Sequence, residues 1–400
     1  MIKKSGLLIA GVFSALLFTE LTLRYFFPQP VYSTLYNDKM NCYKPDPIAY
    51  VALKKNSTCY YARSGKEYTA KTTTNNLGYR EENPINLIKK SGTKRVVFIG
   101  DSFTFGQGVK TADAFPNITE IQLNQMIKNV ETINAGIIGV GAEWYYLTLK
   151  EKITPLKPDI VVVGLYLGND LSDIDYFKWT ELDQNGLPKK ITTEYEFIDA
   201  DGSRRLTTTP LRYRIPFLRD SHLVIFVANK FLGSSPSGNT EDIAFSGSPC
   251  YLNPECNDSA GQEKKIEQLV VGVKKIAKQH NFRLVIVLIP WELQLKRELL
   301  QRSGINIFVT KERRYLLSNR IEKMLQNNDI MTLNLLPVFD TYSGNKKIIY
   351  PIDRHWTKEG HKIAGEAIAE ALIPLLDKST DRTPSLSSSS GQTMTEEKRK

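Results

Sequence analysis

Ser102 ends an apolar run in the segment RVVFIGDSFTFGQGV, Arg95 to Val109, and a hydroxyl held at the end of a strand is a candidate nucleophile. Gly-Asp-Ser is equally a common turn tripeptide, so its partners decide the question. An alcohol is a poor nucleophile at neutral pH until a base takes its proton. Of the four histidines, His355 is the one that lies in a loop before a helix with an acid close by. His280 falls at a polar helix end, His222 in a long interrupted region and His361 inside the last helix, and these read as structural. Asp353, two residues before His355, is placed to fix the imidazole tautomer and stabilise the imidazolium. A tetrahedral oxyanion needs donors already in position, and the candidates are the amides of Ser102 and Gly139 and the side-chain amide of Asn169. Each also has a plainer reading: Asn169-Asp170 as a helix cap, and Gly136, Gly139 and Gly141 as strand-to-helix punctuation. The glycine order GxxGxG is not that of a dinucleotide loop, and no GxxxxGK followed by Ser or Thr occurs, which argues against phosphate cradling.

These residues must be brought together by the elements between them. KRVVFIG reads as a strand buried on both faces, followed by a helix over 114–128. VETINAG is a second strand, 143–156 a second helix and PDIVVVGLYLGND a third strand. From 171 to 260 the alternation stops. That region holds a hairpin around Asp201-Gly202, a short helix over 222–231 and a Gly/Ser-rich piece near 233–248, and is read as an insertion over one end of the sheet. The rhythm returns with a helix over 262–279, the strand FRLVIVLIP, one or two helices within 293–326, the strand IMTLNLLPVF and a last helix over 358–376. The pattern predicts an α/β fold, a three-layer α/β/α sandwich on a five-stranded parallel sheet. Ligands of such sheets bind beyond the carboxyl ends of the strands, where Ser102, Gly139, Asn169, Glu292 and His355 all fall.

The 400 residues hold enough apolar content for a large core, and the net charge of +10 is spread without a basic stripe, which argues against a nucleic-acid partner. Lys3 and Lys4 precede an apolar run from Ser5 to Leu23 that, at about 1.5 Å per residue, spans about 28 Å as a helix. Glu20 and Arg24 can pair at its far end, and Tyr25, Phe26 and Phe27 form an interfacial aromatic cluster. No small-x-small cleavage site follows, so the run is read as an uncleaved anchor in preference to a removed signal peptide. The lysines then place the N-terminus in the cytoplasm and the catalytic body outside it, periplasmic or extracellular. The four cysteines, Cys42, Cys59, Cys250 and Cys256, suit two disulfides in an oxidising compartment, although spacing alone does not fix their pairing or exclude four free thiols. The chain divides into an anchor (1–27), an exported preamble (28–93) irregular to about Lys66, a core (94–170 and 261–376), the insertion (171–260) and a disordered tail (377–400).

The blocks GDSFTFG, NAGIIG, GND and DRHW occur in the order and spacing that define the SGNH/GDSL hydrolases, which the chain resembles over about residues 94–376. TNNLGYR and the anchor ending in Glu-x-x-x-Arg are similar to bacterial membrane-anchored members. The resemblance implies the flavodoxin-like SGNH fold. It further implies a catalytic Ser102, His355 and Asp353, an oxyanion hole of Ser102, Gly139 and Asn169, and no metal or cofactor. Many members place the acid three residues before the histidine; here that position is Ile352 and the acid is two before, as in polysaccharide O-acetyltransferase relatives. The expected activity is a serine esterase cleaving an O-acetyl group from a cell-envelope carbohydrate, with another small ester as substrate or an O-acyltransferase as alternatives. A non-catalytic envelope glycan-binding protein is the reading from a different class. Trp144, Tyr145, Tyr166, Trp179, Trp291 and Trp356 lie near the rim, and Trp291 and Trp356 are the candidate sugar-binding residues, although strand-end aromatics also serve as core.

Overall fold

A computed structural model of the chain describes residues 2–29, 31, 42–62, 67–198, 204–207, 215, 218–231, 260–295, 311–351 and 353–377. Five strands, β1 (Lys94–Gly100), β2 (Val130–Asn134), β3 (Ile160–Tyr166), β4 (Arg283–Ile289) and β5 (Met331–Asn334), pair in parallel in the order β5-β4-β3-β1-β2. The helices of eight or more residues, with one shorter segment that packs on the sheet, are α1 (Ile2–Phe26), α2 (Phe115–Met126), α3 (Ala142–Thr148), α4 (His222–Phe231), α5 (Ala260–His280), α6 (Lys311–Asn327) and α7 (Lys358–Leu376). β3 lies at the centre with all its residues buried, which is why it reads as an unbroken apolar run. Alternate residues of β1 feed two cores. Val97 and Ile99 join Leu147, Leu269 and Ile321 of α3, α5 and α6 on one face, while Val96 and Phe98 join Leu123 and Ile368 of α2 and α7 on the other. This is a three-layer α/β/α sandwich on a five-stranded parallel sheet. α2 and α7 cross closely because Gly365 leaves no Cβ to strike Ile118, and the Thr119 hydroxyl donates to the Gly365 carbonyl at 3.1 Å.

Several expected bounds shift for local reasons. The segment read as one strand through LLPVF ends at Asn334, whose side chain accepts from the Leu336 amide at 3.1 Å and starts a helix, Leu335–Asp340. The helix expected over 143–156 keeps α geometry only to Thr148, then widens into a π turn, Leu149–Ile153, and tightens at Pro155. Residues 43–62, read as irregular, carry three short strands. Tyr43–Asp46 pairs with Tyr50–Leu53, and Thr58–Ala62 with Thr69–Thr73, both antiparallel. Their brevity and Pro45 hide the alternation that a longer strand would show. In the insertion, Glu196–Ile198 pairs antiparallel with Arg204–Leu206, while Asp201-Gly202 between them lie outside the described residues, and a second hairpin, Lys178–Leu182 with Pro188–Thr192, reverses through Asn185-Gly186.

Cys42 and Cys59 form a disulfide across 17 residues of sequence; Cys250 and Cys256, the Gly/Ser-rich piece and the tail from 378 lie outside the described residues. The bridge ties the two preamble hairpins together. Closing a loop of that length stabilises by about 3 kcal/mol in the chain-entropy account, so Cys42→Ser with Cys59→Ser is expected to lower the thermal midpoint by several degrees, measurable by calorimetry. An unchanged midpoint would show that this bridge adds nothing to the stability of the fold. Within α1, Gly6–Phe26 is long and apolar enough to cross a membrane and is almost wholly exposed, the composition of an anchor or a signal sequence.

Candidate active site

The carboxyl end of β1 is built to seat a short helix, Ser102–Phe105, directly on the sheet. Gly100 and Gly164 are paired neighbours on β1 and β3, and a Cβ on either would lie 2.1 Å or 2.5 Å from Thr104 Oγ1. Gly136, just beyond β2, would collide with the Phe105 amide nitrogen at 2.4 Å. Three missing side chains thus let this helix sit on the sheet, and its first residue, Ser102, faces the rim. Asp101 caps it, accepting from the Phe103 amide at 2.9 Å. As the first helical residue, Ser102 has an amide without an intrahelical acceptor.

His355 Nε2 lies 2.7 Å from Ser102 Oγ, and His355 Nδ1 lies 2.5 Å from Asp353 Oδ1. The two-residue spacing of acid and imidazole is met by a sharp turn: Arg354 takes the left-handed conformation, φ 69°, which costs a non-glycine residue about 1 kcal/mol. Burial alone would push the imidazole pKa down. The Asp353 charge and hydrogen bond, with the charges of Asp101 and Glu292, outweigh it and hold His355 above its ordinary value. Ser102 is 8 % exposed and the His355 side chain 18 %, so hydroxyl and imidazole are both reachable from the rim while the Asp353 carboxylate behind them is closed off. Such a relay can take a hydroxyl proton onto nitrogen as oxygen attacks a carbonyl.

Asn169 heads a short helix, Asp170–Asp173, yet its side chain makes no capping bond, and its Oδ1 is buried without a hydrogen-bond partner among the described residues. The plainer reading of Asn169 as a cap therefore does not account for its side chain. Gly139 lies in the loop between β2 and α3 with φ 72°, the left-handed conformation that favours glycine.

The aromatic expectation is corrected. Trp291 and Trp356 are 0 % and 1 % exposed and belong to the core beneath the rim. Trp356 packs edge-on against Phe103 at 5.1 Å between centroids and against His361 at 5.6 Å. Rings enclosed in this way present no face to a sugar. Trp144 and Tyr145 are equally buried, Trp144 donating to the Val51 carbonyl at 2.8 Å and so fastening the preamble to the core.

Several supporting residues were not legible beforehand. Gln107 Nε2 donates to Asp353 Oδ2 at 3.3 Å and to Tyr68 Oη at 3.1 Å, and the Asp353 amide donates to Glu67 Oε2 at 2.6 Å. Gln107 stands between Gly106 and Gly108, both left-handed at φ 85° and 91°; a polar residue between two glycines just after the nucleophile candidate was the available signal. Arg80, in the TNNLGYR segment, is wholly buried and donates to the carbonyls of Phe105, Gly106 and Val109, the last two at 2.8 Å and 2.6 Å. Burial lowers its pKa to about 10, so it stays charged and neutralises the carbonyl end of the Ser102 helix. Glu292 accepts from Tyr166 Oη and lies 3.6 Å from the Arg354 guanidinium, which steadies the loop that carries His355. Burial pushes Asp101 up to about 6, Asp173 to about 7 and Glu143 to about 8.

With the parallel order β5-β4-β3-β1-β2, a serine at the end of β1 and an Asp-x-His turn before the last helix, the chain resembles the SGNH/GDSL hydrolases. Within it, residues 249–396 match the family described as ALGX, the SGNH hydrolase-like domain of the acetyltransferase AlgX, a match that takes in β4, β5 and the Asp353–His355 turn. Solved structures of similar fold include the acetyl xylan esterase AlAXEase, 14% identical over 70% of this chain and 100% of that one, with a TM-score of 0.37. A lipase/acylhydrolase from Enterococcus faecalis is 12% identical over 70% of this chain and 96% of that one, TM-score 0.38. TesA is 11% identical over 71% of this chain and 100% of that one, TM-score 0.38. No curated protein matches the sequence. The family match over residues 249–396 supports acyl ester chemistry.

Proposed function

We propose that the chain is a serine esterase that removes an O-acetyl group from a cell-envelope carbohydrate through an acyl-Ser102 intermediate. The reading rests on the 2.7 Å contact between Ser102 Oγ and His355 Nε2, backed by Asp353. Ser102 Oγ attacks the ester carbonyl as His355 takes its proton, and the imidazolium returns that proton to the departing sugar oxygen. Water, deprotonated by the same imidazole, then attacks the acyl-enzyme carbonyl, and acetate leaves with Ser102 restored. The amides of Ser102 and Gly139 and the Asn169 side chain hold the oxyanion in both halves. α1 acts as an uncleaved anchor with the N-terminus in the cytoplasm and the site outside it.

A second reading differs only in the acceptor. The match of residues 249–396 to an acetyltransferase family favours delivery of the acetyl group to a glycan hydroxyl in place of water. The test is release of nitrophenol from a short nitrophenyl ester, then of acetate from acetylated glycans, with an unacetylated oligosaccharide added as competing acceptor. Turnover with acetate as product supports the esterase. Acetylated oligosaccharide formed in preference to acetate would replace it with the transferase, and no acyl-Ser102 by mass spectrometry would remove both. Asn169→Ala is expected to lower kcat by about a hundred- to a thousandfold with KM little changed, since the donor is engaged only as the oxyanion forms. An unchanged kcat would take Asn169 out of the oxyanion site.

A further inference from the structure

The insertion helix α4 bears no part of the relay, yet it is fastened to the last turns of α1. The Glu20 carboxylate accepts from Ser221 Oγ at 2.8 Å and from the amides of His222 and Leu223 at 3.0 Å and 2.8 Å, so a side chain of α1 caps α4. Arg24 pairs with Glu20 at 3.3 Å and reaches the Asp220 carbonyl at 3.4 Å, and the Gln29 amide donates to His222 Nδ1 at 2.8 Å. His222, Ile225 and Ala228 form the buried face of α4. One turn round, Leu223, Phe226, Val227 and Lys230 share a stripe at helical spacing, with Phe226 and Val227 37 % and 44 % exposed.

We infer that this stripe lies in the bilayer interface beside α1, so that α4 is a second membrane contact that fixes how the catalytic body stands on the surface. The inference rests on the reading of α1 as an anchor. The occupant is lipid because the stripe adjoins the end of α1 where Leu16, Leu17 and Leu21 face outward and Tyr25, Phe26 and Phe27 are exposed as interfacial aromatics. Lys230 supports it: its ammonium sits 5.8 Å from the Phe226 ring, able to reach headgroups while its stem covers apolar surface. A second copy of the chain is the poorer occupant, since a few side chains fall well short of the about 800 Å² per partner that stable association uses. The tether also accounts for an acid in an otherwise apolar span: Glu20 is spent on the Ser221 hydroxyl and the first two amides of α4.

The test uses the full chain in phosphatidylcholine–phosphatidylglycerol vesicles whose acyl chains carry bromine at shallow or deep positions. Val227→Trp, an exposed site, adds one fluorophore to tryptophans that lie within the body, and Phe13→Trp reports on α1 alone. Shallow bromine is expected to quench the added emission of Val227→Trp by about half or more, and deep bromine that of Phe13→Trp. Quenching of Phe13→Trp without Val227→Trp overturns the docking of α4 and leaves the anchor standing; quenching of neither overturns the anchor itself. Emission of Val227→Trp that shifts with protein-to-lipid ratio in place of being quenched would assign the stripe to a second copy and overturn the lipid assignment. Glu20→Ala is expected to abolish quenching in the Val227→Trp background while esterase turnover of a soluble ester stays within about twofold, because Glu20 touches no residue of the relay. Quenching that survives Glu20→Ala would overturn the tether.

Discussion

Ser102→Ala is expected to lower kcat for nitrophenyl acetate by about a millionfold, leaving only the about thousandfold acceleration over water that binding and the oxyanion donors supply. The size follows from the relay acting as a unit: without the hydroxyl there is no acyl-enzyme, and His355 and Asp353 have nothing to activate but water. The fold should not suffer. Ser102 Oγ has His355 Nε2 at 2.7 Å and only a long contact to Asp101 Oδ2 at 3.5 Å, while the short helix beneath is held by Asp101, Arg80 and the three glycines. The thermal midpoint of the variant should therefore stay within a few degrees of the parent, which separates lost chemistry from lost structure. His355→Ala should cost about as much, and the double variant little more, because either change alone already disables the other residue. A Ser102→Ala protein keeping a tenth of its turnover would place the nucleophile elsewhere.

The sheet was readable because its strands are buried on both faces, and burial leaves an unbroken apolar signature such as that of β3. The candidate relay was readable because strand ends in a parallel sheet share one rim, so position in the pattern told His355 apart from three other histidines. What escaped has a common physical origin. Arg80, Glu67, Tyr68 and Gln107 act through contacts between segments remote in sequence, as in the Gln107 bond to Asp353, and their types and spacing carry no local period. Trp291 and Trp356 failed in the opposite direction. Aromatic type at a strand end is the same for a ring that meets solvent and for one that fills the core, and neighbours such as Phe103 and His361 decide which it is.

The preamble is thus a structural part of the site, although it precedes the core in the chain. Arg80 binds the carbonyls behind Ser102, and Glu67 and Tyr68 hold the Asp353 turn directly and through Gln107. The disulfide that joins the preamble hairpins stiffens the same support.

Asp353→Asn is the most discriminating change, because it keeps the shape of the side chain and reverses what one edge of it offers. In the parent, Oδ1 faces His355 Nδ1 at 2.5 Å and Oδ2 accepts from Gln107 Nε2 at 3.3 Å, so both edges must accept. An asparagine has one accepting edge; if Gln107 takes it, the amide NH2 turns to the imidazole and donates to Nδ1. The proton then resides on Nε2, facing Ser102, where an acceptor is needed, and kcat should fall by about ten-thousandfold. The pH profile reports the same event. His355 must be neutral to act, so the rate rises with pH through its pKa, and in the parent that limb lies above the ordinary imidazole value. Taking away the Asp353 charge leaves burial opposed only by Asp101 and Glu292, so the pKa falls and the acid limb of the residual activity moves to lower pH. A limb that stays in place, or moves up, would show that Asp353 is not the charge that holds this imidazole. A variant that loses activity by unfolding would lower the thermal midpoint without shifting the limb of the fraction that remains active.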